Sequence, residues 1–205
     1  MQVITKQEIT MKTYLIASLA IGISFALAIQ TSANEVKADT SNYQKQAKAK
    51  IKLFASSLKS TLQKAIKEGG FENGVKACSE TAPAISQQLS NDGWTLARVS
   101  LKERNPANIP DAWEKQVLID FQEQKDQGVK IKKLTQELVE ESESGMTYRF
   151  MKAIPTGGLC LSCHGSSIDP ELRKVIELHY PEDKATGFEL GDIRGAFTLS
   201  KKISP

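Results

Sequence analysis

Cys160-Leu161-Ser162-Cys163-His164 sets two thiols two residues apart, followed at once by an imidazole. Thiols at that separation can each add across one vinyl group of a haem, and the histidine then lies beneath the iron as proximal ligand. The pentapeptide falls between Pro155-Thr156-Gly157-Gly158 and Gly165-Ser166-Ser167, so it reads as a loop. Other chemistry competes for the same residues. A thioredoxin-like pair needs a βαβ setting with the CxxC opening a helix, and a zinc site needs a second ligand pair at short spacing. A structural disulfide leaves the histidine without a role. Covalent attachment of one haem c uses all three side chains.

The chain has three cysteines and two histidines, so Cys78 and His179 remain. On residue chemistry alone, Cys78 is a buried inert thiol, half of an intermolecular disulfide, or an iron ligand. Its helix neighbours are apolar and turn it inward, which disfavours the disulfide. His179 shares a face with Leu172, Val175 and Ile176, and neutral imidazole binds iron without losing a proton, so it leads as sixth ligand. Its bland alternative is a histidine at a helix C-terminus, interacting with the dipole. Met146 and Met151 fall in a strand, where methionine is more often core. Arg98, Arg104, Arg149 and Arg194 are candidates to pair with haem propionates, because guanidinium suits carboxylates; each is otherwise a solvated charge.

These groups need a scaffold. An amphipathic helix is expected from about Tyr43 to Glu68, with Ala47, Ile51, Phe54, Leu58, Leu62 and Ala65 on one face, stopped by Gly69-Gly70. A second helix, from about Glu72 to Leu89, carries Cys78 beside Val75, Ala82 and Ile85, and Pro83 should kink or divide it. Trp94 to Lys102 reads as a strand with Trp94, Leu96 and Arg98 on one face. Asp111 caps a helix from Ala112 to about Gln127. Strands are expected near Ile131 to Glu141 and Met146 to Ile154, then a helix opened by Asp169-Pro170 and running to about His179, and a last strand from Arg194 to Ile203. Helices followed by mostly antiparallel strands argue an α+β fold, with the sheet covered by helices on one side.

The 205 residues suffice for one domain, and a net charge of +3 with no basic run interleaved with aromatics gives nucleic-acid binding no support. Lys6 and Lys12, the apolar run Tyr14 to Ile29 and the small residues Thr31-Ser32-Ala33 form an export signal, or an uncleaved anchor if that segment is retained. The expected division is therefore 1–33 signal, 34–42 polar tether and 43–205 haem domain. Export agrees with the motif, since haem is attached to such thiols on the far side of a membrane, in a periplasm or a thylakoid lumen.

Several stretches together resemble a known family: Cys78-Ser79-Glu80-Thr81-Ala82-Pro83-Ala84-Ile85, then Arg98 to Asn108, Trp113-Glu114, Cys160 to Gly165, Tyr180 to Phe188, and Gly191-Asp192-Ile193-Arg194-Gly195. The family is that of single-haem c-type proteins with a PAS-like fold, found as free exported proteins and as sensor domains of bacterial signalling proteins. The resemblance implies a PAS-like antiparallel sheet with N-terminal helices and an inserted haem loop. It also implies that iron is held by His164 and by Cys78, ahead of His179. A thiolate there lowers the reduction potential, and its bond to iron weakens on reduction. A small exported chain with one covalent haem reads as an electron carrier with a separate redox partner protein; the alternative, which the resemblance and the axial thiolate favour, is redox or gas sensing through a separate partner. No paired carboxylates, Ser/His/Asp set or phosphate-binding glycine loop points to an enzyme; peroxidase-like activity would require the sixth ligand to leave.

Overall fold

The computed structural model describes residues 6–143 and 145–203, with side chains from Thr40 onward. The expected export signal and the 34–39 part of the tether lie outside the residues whose side chains are described. Thr40, Ser41 and Asn42 are helical, where a tether was expected. The chain divides into two compact units, Met1–Lys45 and Gln46–Pro205. The first contains the start of helix α1 (Lys6–Leu89); all that follows concerns the second. Among the described residues, no helix is long and apolar enough to cross a membrane.

Helix α1 is interrupted where the double glycine predicts. Gly69 (φ −159°, ψ 31°) and Gly70 (φ 71°, ψ −170°) leave helical geometry, the latter in the left-handed region that glycine enters without a Cβ penalty. Two helical segments result, and Cys78 rides on the second. Pro83 does not break that segment, which keeps helical dihedrals through it.

The remaining elements are β1 (Trp94–Val99), α2 (Ala112–Asp126), β2 (Thr135–Ser142), β3 (Gly145–Pro155), α3 (Gly158–His164), α4 (Pro170–His179) and β4 (Ile193–Ile203). The fold is α+β, with the four strands in one antiparallel sheet ordered β1-β4-β3-β2. Ile131–Lys133 is a 3₁₀ turn rather than the start of a strand. Likewise β1 stops at Val99 rather than at Lys102, because Ser100 turns its amide to Asn108.

Strand alternation gives the sheet two buried faces. One face presents Trp94, Leu96, Tyr148, Phe150 and Phe197, and takes Phe54 of α1 edge-on against Phe197 at 5.5 Å. The indole of Trp94 donates to Gln46 at 3.1 Å, fixing the start of the same helical face. The opposite face presents Val99, Met151, Ala153 and Ala196 to Val117, Leu118 and Phe121 of α2. The sheet is thus covered on both sides, not one as the sequence suggested. A smaller core joins Val75 of α1 to Ile168, Leu172, Ile176 and Tyr180 around α4, with Cys163 at its edge.

Helix α2 begins with a capping box. Asp111 accepts from the Glu114 amide at 2.9 Å, and Glu114 accepts from the Asp111 amide at 3.0 Å. Asp111 also takes an ion pair from Arg149 at 2.5 Å. Its carboxyl lies below its usual range: burial opposes the shift, but the Glu114 amide and the Arg149 guanidinium outweigh it. Asp111→Ala should cost about 1 kcal/mol from the lost cap, with little added from a half-exposed ion pair. Because the folded carboxyl is depressed, that contribution is present above the unfolded carboxyl range and is lost as pH falls through the folded value. Urea midpoints of the two proteins should converge under acid and separate at neutral pH.

Candidate functional site

A cavity of about 430 Å³ opens between both segments of α1, the end of β1, the start of β4 and α3. Its size falls in the range of about 300–1,000 Å³ typical of cofactor sites. Leu58, Leu62, Ile66, Phe71, Val75 and Ile154 make its wall apolar, and Cys78, Cys160, Cys163 and His164 all line it. The structure thus brings together the motif and the leftover cysteine, which are 82 residues apart in sequence (160 − 78).

The motif is not a loop. It is the seven-residue helix α3, opened after extended Gly157 and ended at Gly165. A Cβ on Gly165 would lie 2.6 Å from the Leu161 carbonyl oxygen, so the helix can end so tightly only on glycine. The helical setting does not restore a thioredoxin reading, since α3 lies between β3 and β4, which are antiparallel neighbours rather than the parallel pair of a βαβ unit.

His164 is held from two sides. Its Nδ1 lies 2.8 Å from the Ala185 carbonyl oxygen, so Nδ1–H donates there and Nε2 keeps its lone pair for a metal. Its ring meets Phe188 edge-on, with centroids 6.4 Å apart. Phe188 also donates its amide to the His164 carbonyl at 3.0 Å. Burial, and then the charges of Arg194 and Arg104, hold the imidazole well below its usual range, so it is neutral at pH 7. Burial pushes the Cys78 thiol up, while Arg98 and Arg104 facing it pull the other way.

The four arginines separate. Arg98 and Arg194 line the cavity. The Arg98 guanidinium lies 5.3 Å from the centre of the Phe54 ring. The Arg194 Nε is buried with no hydrogen-bond partner, though Nη1 reaches Ser100 Oγ and the Lys102 carbonyl at 3.3 Å. Burial, with Arg104 and Arg98 adding like charge, pulls Arg194 down to about 10. Arg194 reaches this face through a β-bulge. Ile154 pairs with Gly195 and Pro155 with Ile193, so Arg194 is the extra residue, and both Ile193 and Ala196 stay on the α2 side. A Cβ on Gly195 would sit 2.3 Å from the Val99 carbonyl oxygen, which reserves that position for glycine.

Arg104 also lines the cavity, but its guanidinium is spent within the protein. It meets Asp183 through two bonds, at 3.0 and 2.9 Å, and reaches the carbonyls of Cys163 and Ala185 at 2.5 and 3.3 Å. Arg149 is not brought to the cavity. It lies on the α2 face of β3, paired with Asp111 and Glu114 and stacked 4.4 Å over Trp113. Strand parity is the reason, because odd positions of β3 face α2 and the cavity lies on the other side. His179 is not brought there either; it ends α4 exposed to solvent. Sequence reasoning missed Asp183, Ala185 and Gly195. Each lay within a stretch carrying the family resemblance, but none has a chemistry that marks it alone.

The lining fits the group that the motif implies. Two thiols and an imidazole stand on one short helix, a third thiol stands on a different element, and the wall between is apolar. A buried guanidinium nitrogen lacks a partner, as an anionic edge would supply. Among the described residues, no three His, Cys, Asp or Glu side chains form a cluster that could hold a bare metal ion.

A family model described as Tll0287-like: Tll0287 matches residues 26–201. The crystal structure of a cyanobacterial heme-protein, Tll0287, matches with a TM-score of 0.52 at 23% identity, covering 76% of this chain and 94% of that chain; at that identity the likeness shows the fold. No curated protein matches.

Proposed function

The chain belongs to the Tll0287-like family, and from that premise we propose that it is an exported c-type haem protein with a PAS-like fold that transfers electrons. Cys160 and Cys163 would bind one haem through thioether bonds, His164 would ligate iron through Nε2, and Cys78 would supply a second iron ligand. The haem supplies a one-electron couple at its iron. The protein's part is to orient and tune it. Ala185 fixes the histidine tautomer, and the apolar wall excludes water. Arg98 and Arg194 offer charge-assisted hydrogen bonds to propionates. The observation that carries this reading is the convergence of Cys78, Cys160, Cys163 and His164 on one apolar cavity beside the unpartnered Arg194 Nε.

A sensing role is the second reading, and one observation favours it. Cys78 stands on a helical segment set off by the Gly69-Gly70 break, apart from the helix that carries His164. Loss of the Cys78 bond would therefore bear on a separate element. We assign no enzymatic step.

Expression in an exporting host with cytochrome maturation should yield a mass equal to the mature polypeptide plus one haem. A Soret band should persist after acid–acetone extraction. A bare polypeptide mass under those conditions refutes the assignment. Electron transfer is separated from sensing by reduced-state gas binding: a carrier keeps six ligands, whereas a sensor opens one position.

A further inference from the structure

We infer that the Arg104–Asp183 ion pair positions His164 and tunes the iron beside it, acting through the Ala185 carbonyl. The inference rests on the haem reading above and deepens it. Ala185 oxygen receives two donors, His164 Nδ1 at 2.8 Å and Arg104 Nη2 at 3.3 Å. The same Arg104 nitrogen holds the Cys163 carbonyl at 2.5 Å, one residue before the histidine. Asp183 fixes that guanidinium by two bonds and accepts from the Ala185 amide at 2.8 Å, so both partners of the pair grip the residue that orients the imidazole. The side chains of Arg104 and Asp183 are 10% and 8% exposed, so solvent screens them little.

The geometry sets opposite signs for the two charges. Arg104 draws electron density from the Ala185 oxygen, which weakens its hold on Nδ1–H and leaves the imidazole a poorer donor to metal. Its positive charge also favours the reduced state of a nearby centre. Both effects raise the potential, and Asp183 opposes them. Arg104→Gln should therefore lower the midpoint potential of the holoprotein, and Asp183→Asn should raise it. Asp183→Glu, which keeps the charge, should restore it most of the way.

A pair that merely supports the fold would destabilise on removal of either partner and shift the two potentials in the same direction or not at all. The test is redox titration of the four holoproteins, with covalent pigment verified by mass. A second readout needs no haem: ¹⁵N shifts of the His164 ring in the full chain expressed without haem attachment. The native chain should show a single Nδ1–H tautomer, and Asp183→Asn a mixture. Opposed potential shifts with a mixed tautomer support the inference. Like-signed or null shifts with an unchanged tautomer overturn it while the haem reading stands. Native protein without covalent pigment defeats that earlier reading, and the tautomer measurement then decides the positioning role by itself.

Discussion

Cys78→Ala holoprotein should lose the thiolate signature from its ferric absorption and magnetic spectra, and its midpoint potential should rise sharply. A thiolate pushes charge onto iron and favours the ferric state, and axial ligands command a span of about 0.8 V. On balance burial holds the Cys78 thiol above its usual range, against the pull of Arg98 and Arg104. A ferric centre would add a further positive charge. Reduction weakens that attraction, but a carrier keeps its six ligands, so the wild-type ferrous protein should exclude carbon monoxide, whereas the variant should bind it on reduction. Cys78→Met supplies a neutral sulfur from the same helix face and should raise the potential further. His179→Ala should change neither spectrum nor potential, since that imidazole is exposed at the end of α4. An unaltered spectrum in Cys78→Ala would remove the cysteine from the iron.

Local signals in the chain carried much of this fold. Gly69-Gly70, Asp111 and Asp169-Pro170 each act within a turn of their own position, and α1, α2 and α4 break or begin where those residues dictate. The alternation of Trp94, Leu96 and Arg98 was equally local, and it placed Arg98 on the face that carries the cavity. Features set by tertiary partners were not legible. The Arg104–Asp183 pair joins residues 79 apart, and no local pattern announces it. Its guanidinium marks Arg149 as a candidate, whereas its face is decided by sheet parity relative to a cavity that the sequence does not draw. The bulge that turns Arg194 inward depends on the register of β3 against β4, a property of two strands rather than of one. Glycines around Cys160-Leu161-Ser162-Cys163-His164 suggested a loop, yet they are the ends of a helix short enough to hide its period. Propensity alone predicts a break at Pro83, but packing of its segment around Val75 and Ala82 outweighs the lost amide donor.

Phe54→Ala should be the most destabilising single change in the α1–sheet interface, at about 3–5 kcal/mol. Phe54 is fully buried, it packs edge-on against Phe197, and the Arg98 guanidinium lies over its ring. Truncation leaves a cavity that the sheet cannot fill, because Phe197 is pinned opposite Arg98 by the β1–β4 ladder. Phe54→Leu keeps most of the volume and should cost about 1 kcal/mol, losing the ring contacts but little apolar area. Denaturant midpoints read both values, with slopes unchanged if the unfolding remains cooperative. The change also reaches the site. Without the ring, Arg98 loses the surface that holds its stem toward the cavity, so a holoprotein of Phe54→Ala should retain less non-covalent resistance to pigment loss when Cys160 and Cys163 are also replaced by serine. Equal pigment retention in the two serine backgrounds, with and without Phe54, would show that Arg98 reaches the cavity independently of this aromatic pair.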